Sequence, residues 1–116
     1  MSKKEKNKMQ TISPKNIFKE IPQNLTEELF EDIIKSSSVK IERIVSDGHT
    51  SPKSGWYESV QNEWVIVLQG EAILSFENST NVELKCGDYY NIPAHKRHKV
   101  SHTSTTQKTI WLAVYY

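Results

Sequence analysis

One cysteine, Cys86, occurs in 116 residues, so no disulfide can form within the chain. That excludes the cross-linked framework of small secreted domains and favours a reducing, cytoplasmic setting. Cys86 precedes Gly87 and Asp88 with no base beside it, and reads as a structural thiol in a turn rather than a nucleophile. Four glycines and four prolines are too few for a fibrous or low-complexity chain. No stretch approaches the roughly 20 consecutive apolar residues of a bilayer-crossing helix, so no membrane partner is expected. Charge of one sign is missing as well: 15 Lys and Arg face 14 Asp and Glu, a net of +1, and no nucleic acid is expected to bind. The one basic cluster, Lys3, Lys4, Lys6 and Lys8, has no interleaved aromatics and no adjacent secretory apolar run, and reads as a solvated tail. Phosphate loops, dinucleotide fingerprints, HExxH and GxSxG are absent, which removes support for nucleotide-driven and serine-hydrolase chemistry.

The length suits one domain, with a flexible tail over 1–20, a short helix and linker over 21–38, and a β-domain over 39–116. Leu25, Leu29, Phe30, Ile33 and Ile34 share one face at helical spacing, and Asn24 with Glu27 fits a capping box. Strand patterns follow. Val39 to Val45 alternates, with Arg43 breaking the apolar parity or Ile44 marking a bulge. Trp64 to Leu68, punctuated by Gly70 and resumed at Ala72, Leu74 and Phe76, predicts a hairpin. Val82 and Leu84, Tyr89 to Ile92, His98 to His102 and Thr109 to Tyr115 complete some seven strands, the pattern of an all-β sandwich or barrel.

The residues able to carry chemistry lie in the middle and at the end of the chain. Imidazoles and carboxylates suit Zn, Fe, Ni or Mn, and three such ligands with one open position would permit catalysis. His98 and His102 face one side if their strand is regular, about 6 to 7 Å apart. Glu63 shares its direction with Val65 and Val67, so its carboxylate points inward and needs a proton, a base or a cation. Glu58 is a further acid, and His95 follows Pro93 on a loop. Trp56, Tyr57, Trp64, Trp111, Tyr89 and Tyr115 could surround a partly apolar ligand, with His49 at the rim of such a pocket.

Two spacings carry a family resemblance. Glu63 is followed after six residues by Gly70, and Gly87 leads through Pro93 to His98. With Ser51-Pro52, Trp56-Tyr57-Glu58, Glu63-Trp64-Val65 and Pro93-Ala94-His95-Lys96-Arg97-His98, the chain resembles the small single-domain bacterial cupins over residues 39–115. The resemblance implies a double-stranded β-helix, a jelly-roll barrel, here with a short N-terminal helix. It implies a divalent metal at the barrel mouth and chains paired as homodimers through edge strands. Glu63 and His98 carry over as metal ligands. The family's first-motif histidine pair falls on Trp56 and Glu58 or on Tyr57 and Ser59, none of them histidine, so Glu58 would substitute and His95, His102 or His49 would complete the set. A metal there could polarise a carbonyl, with His95 transferring a proton as catalytic residue. Two alternatives stand beside this: a non-catalytic cupin that binds or senses a small molecule without metal, and a metal-free scaffold.

Overall fold

The computed structural model describes residues 12–116, so Lys3, Lys4, Lys6 and Lys8 lie outside the described residues. Eight strands follow in order: β1 Leu29–Lys35, β2 Lys40–Ser46, β3 Glu63–Gln69, β4 Glu71–Phe76, β5 Asn81–Lys85, β6 Tyr89–Ile92, β7 His98–Thr103 and β8 Thr109–Tyr115. They form a five-stranded sheet in the order β1-β2-β8-β3-β6 and a three-stranded sheet in the order β5-β4-β7. Neighbouring strands are antiparallel throughout. The facing sides bury Val65, Val67, Ala72, Leu74, Ile92, Trp111 and Ala113, each at most 3% exposed. No helix among the described residues is long and apolar enough to cross a membrane.

The expected N-terminal helix is not there. Its apolar residues lie mostly in β1, which pairs with β2 from Leu29↔Val45 to Lys35↔Lys40. Ser36 closes this hairpin, its amide donating to the Val39 carbonyl at 2.8 Å and its hydroxyl accepting from the Val39 amide at 3.2 Å. A short run of apolar residues three to five apart fits either element, and here the ladder partner decides. Arg43 shares the face of Ile41 and Val45, opposite Glu42 and Ile44, so it does break that apolar parity, and β2 carries no bulge at Ile44. Its guanidinium donates to the carbonyls of Ile17, Lys19 and Glu20 and pairs with Glu31 at 2.5 Å, clamping the segment before β1 onto the sheet.

The expected closed jelly-roll barrel is also corrected. The two sheets share no ladder and remain a double-stranded β-helix arrangement of two facing sheets. Along the edge of β7 runs the irregular segment 47–62, which makes the single Tyr57↔His98 bridge, backbone and hydroxyl contacts from Ser51 to Val100, and carbonyl contacts from His49 and Lys53 to the side chains of Thr103 and Lys99, but no continuous ladder. Pro52 has no amide to give a ladder, and Gly55 adopts φ 89°, so this segment cannot continue as the strand that closure would need. The predicted hairpin between β3 and β4 is instead a crossing from one sheet to the other. Gly70 makes the corner at φ 84°, where a Cβ would stand 2.4 Å from Thr109 Oγ1 and 2.8 Å from its Cα. Only glycine fits that approach.

Candidate functional site

Between the sheets lies a cavity of about 590 Å³, walled by both sheets and by segment 51–57. One end is polar because strand parity delivers ionisable residues inward from four strands, β2, β3, β7 and β8. Glu63 opens β3 on the side of Val65 and Val67 and is paired in register with Tyr115 of β8 and Ile92 of β6. Glu42 reaches the same space from β2, and His98 opens β7 opposite Phe76. All four polar side chains are buried: Glu42 is 4% exposed, Glu63 8%, His98 6% and Tyr115 8%.

The contacts within this cluster are unequal. The Tyr115 hydroxyl donates to Glu42 Oε1 at 3.0 Å and lies 3.3 Å from Glu63 Oε2. Lys40 Nζ sits 3.5 Å from Glu42 Oε2 and 4.9 Å above the Tyr115 ring. His98 Nε2 is 3.4 Å from Glu63 Oε1, a charge contact without hydrogen-bond direction, so buried Glu63 Oε1 has no hydrogen-bond partner among the described residues. Its Nδ1 is 2.9 Å from the Lys96 carbonyl, which places the ring proton on Nδ1 and turns Nε2 toward Glu63. Tyr57 fixes the ring from the side, edge-on at 5.4 Å, and exchanges both backbone hydrogen bonds with His98.

The electrostatics follow from burial and these neighbours. Desolvation pulls the His98 pKa down, but the Glu63 carboxylate and the Lys96 carbonyl more than offset it, and the net direction is up. Desolvation, then the charges of Glu63 and Glu42, push the Tyr115 phenol far above its ordinary value, so it is a hydrogen-bond donor and not a base. Tyr57 is raised for the same reasons, burial first and Glu63 next.

Several residues expected at one centre lie apart. Glu58 is on the surface, 3.7 Å from the His95 ring and 3.2 Å from Arg97 Nε. His95 is exposed and adopts φ 68°, its amide donating to the Ser59 carbonyl. His102 does not share the face of His98. Leu74 pairs with Val100 but Ile73 pairs with His102, so Ser101 is an extra residue that turns His102 outward onto Glu71 at 3.1 Å. His49 accepts from the Asp47 amide through Nδ1 in the loop after β2. Trp64 faces away from the cavity and stacks with Tyr89 at 5.5 Å. Trp56, Tyr57 and Trp111 do line the cavity.

Glu42 and Lys40 are site residues that sequence reasoning missed. The signal was the polar parity Lys40, Glu42, Ile44, Ser46, which a strand buried on both faces sends inward. A resident metal does not fit the donors present. Glu63 and His98 give two, both oxygens of Glu42 are engaged by Tyr115 and Lys40, and Tyr57 stands beside His98 where the family pattern has histidine. Among the described residues no three His, Cys, Asp or Glu side chains are grouped to hold an ion.

The comparisons agree with the fold. A protein of Ralstonia eutropha JMP134, provisionally named a mannose-6-phosphate isomerase, is 37% identical, with a TM-score of 0.84 over 90% of this chain and 97% of that one. A cupin-superfamily protein of Desulfitobacterium hafniense DCB-2 is 23% identical, with a TM-score of 0.67 over 82% of each chain. An RmlC-like cupin of Methanocaldococcus jannaschii with a double-stranded β-helix fold is 18% identical, with a TM-score of 0.65 over 83% of this chain and 85% of that one. No curated protein matches. The Cupin domain family model matches residues 44–115, and on that span and the fold built around it the chain belongs to the cupin superfamily.

Proposed function

We propose that this cupin binds a small, partly apolar molecule without a resident metal, and that Glu63, His98 and Tyr115 anchor the polar group of that ligand. The observation that carries the reading is the buried Glu63 Oε1 with no hydrogen-bond partner at the wall of a roomy cavity. An unpaired buried acceptor costs about 1 to 3 kcal/mol, and a ligand hydroxyl or amino group would remove that cost. The apolar part of the ligand would meet Val65, Leu74, Ile92 and Trp111, which line the rest of the space.

The test is calorimetric titration of simple phenols into wild type and Glu63→Ala. Saturable binding that weakens about tenfold or more in the variant supports the reading; equal binding by both proteins overturns it. Elemental mass spectrometry on native-purified protein checks the second half. Near-stoichiometric transition metal, lost in both Glu63→Ala and His98→Ala, would overturn the metal-free reading.

A second reading is proton transfer on a sugar phosphate, favoured by the provisional name of the 37% identical relative and by Glu63 Oε1, which accepts no hydrogen bond among the described residues, as a base. The cations near the cavity are already occupied: Lys40 by Glu42, and Lys99 by the Lys53 carbonyl and the Trp56 ring. This weakens the case for phosphate recognition, and turnover of mannose 6-phosphate would revive it. We also propose that two copies pair along β1, the outer strand of the larger sheet, where Phe30, Ile33 and Ile34 are about half exposed. Light scattering at the mass of one chain would overturn the pairing.

A further inference from the structure

The anchor around Glu63 occupies one end of the cavity, and the other end carries polar groups that it does not use. On β2 the inward parity runs Lys40, Glu42, Ile44, Ser46. Glu42 touches Tyr115. Four residues further on, about 13 Å at the rise of a strand, the fully buried Ser46 touches Glu28 and Trp111. Ile44 and Trp111 are paired in register between the two ends and supply an apolar belt.

The direction of the hydrogen bonds fixes the role of Glu28. Trp111 Nε1–H can only donate, and it donates to Ser46 Oγ at 3.2 Å. The single Ser46 proton is therefore free to go to Glu28 Oε2, its hydrogen-bond acceptor. Glu28 also lines the cavity, where its Oε1 is open and not enclosed as Glu63 Oε1 is. One carboxyl oxygen thus satisfies buried Ser46, ahead of the first ladder pair at Leu29, and leaves the other for the cavity. Burial raises the Glu28 carboxyl above its ordinary range, with Ser46 and His49 opposing, as expected of an acid held at an enclosed wall.

We infer that the pocket is two-ended: Glu28, positioned by Ser46 and Trp111, is a second polar anchor, and the ligand is a rod-shaped apolar molecule with a hydrogen-bond donor, hydroxyl or amino, at each end. The inference rests on the reading of Glu63 as the first anchor. Each end offers a carboxyl oxygen as acceptor, so each end selects a donor. The belt of Ile44, Val65, Leu74 and Trp111 between them selects an apolar, flat or extended body.

Two probes test it: biphenyl with one para hydroxyl, and biphenyl with a para hydroxyl on both rings, titrated calorimetrically into the intact protein. Wild type should prefer the doubly hydroxylated probe about tenfold, the value of one added hydrogen bond to an ionisable acceptor. The preference should vanish in Glu28→Ala, return in part in Glu28→Gln, which keeps an acceptor oxygen, and shrink in Ser46→Ala. Thermal unfolding of each variant establishes that it is folded, and Glu28→Gln keeps the test valid if either alanine variant is not. Equal affinity for the two probes in wild type, or a preference that survives in folded Glu28→Ala, overturns the second anchor while the pocket stands. Failure of both probes to bind, or binding of the single phenol that ignores Glu63→Gln, overturns the first anchor and the second with it.

Discussion

Tyr115 has one hydroxyl proton, and Glu63 is second in line for it: the phenol lies 3.0 Å from Glu42 and 3.3 Å from Glu63. With Lys40 also serving Glu42, donors are distributed unevenly between two buried carboxyl groups. Glu63 has for its other oxygen only the His98 ring at 3.4 Å, without hydrogen-bond direction, and this asymmetry is what marks it as the proposed ligand-facing acid.

Tyr115→Phe removes that shared proton without changing the ring. Two buried acceptors then lose a partner, and the expected cost is about 1 to 3 kcal/mol, a fall in Tm of several degrees for a domain of this size. Thermal unfolding of the variant checks it; an unchanged Tm would mean that water serves both carboxyl groups equally well.

The raised pKa of His98 makes stability depend on pH. A group whose folded pKa lies above its unfolded value of about 6.5 adds stability that is fully present below that value and lost as pH rises through the folded pKa. The difference in Tm between wild type and His98→Gln should therefore be largest near pH 5.5 to 6 and shrink steadily above pH 7. A flat difference across that range would remove the charge contact with Glu63 from the account.

Gly70→Ala should be among the most damaging single-methyl additions. The new Cβ meets Thr109 at well under 3 Å, from main chain as well as side chain, at a φ that L-residues avoid. A loss of about 3 kcal/mol or more is expected, since strain and clash add, and chemical denaturation measures it. Gly55→Ala serves as the control: it shares a positive φ but would meet no atom within 4 Å, so a smaller loss is expected there.

Arg43→Ala removes three carbonyl contacts and the Glu31 pair at once. The segment around 17–20 should become sensitive to limited proteolysis at a rate tens of times that of wild type, while the core built on β3 and β8 resists. Arg43→Lys should rescue little, because one ammonium cannot reproduce a planar fork that meets several acceptors.

Much of the strand pattern was legible in the sequence. Tyr89 to Ile92 and Thr109 to Tyr115 are β6 and β8 to the residue; the first is bounded by Gly87-Asp88 and Pro93, and the second is a mostly apolar run that follows the polar stretch 101–108. Glu63 could be placed inward from parity alone, since β3 carries no irregularity before Val67. The remainder depended on long-range events. Leu29 to Ile34 reads as a helix face until β2 is known to lie beside it. Closure into a barrel could not be judged from strand count, because it fails in a segment governed by Pro52 and Gly55. Glu58 and His95 sit close in sequence to the site, yet their pairing with each other and with Arg97 is made on the surface. Glu28 gave no signal, since its meaning comes wholly from Ser46, 18 positions away.

The extra residue at Ser101 has a consequence for what this scaffold could become. Regular pairing of the same chain, with Ser101 set opposite Ile73, would restore simple alternation along β7 and bring His102 opposite Ala72, so that its imidazole would swing from its surface partner Glu71 to the lining beyond Val100. The cavity would then hold a second imidazole on the strand that carries His98. In this fold, the count of inward-facing nitrogens is governed by ladder register at a single position rather than by residue type.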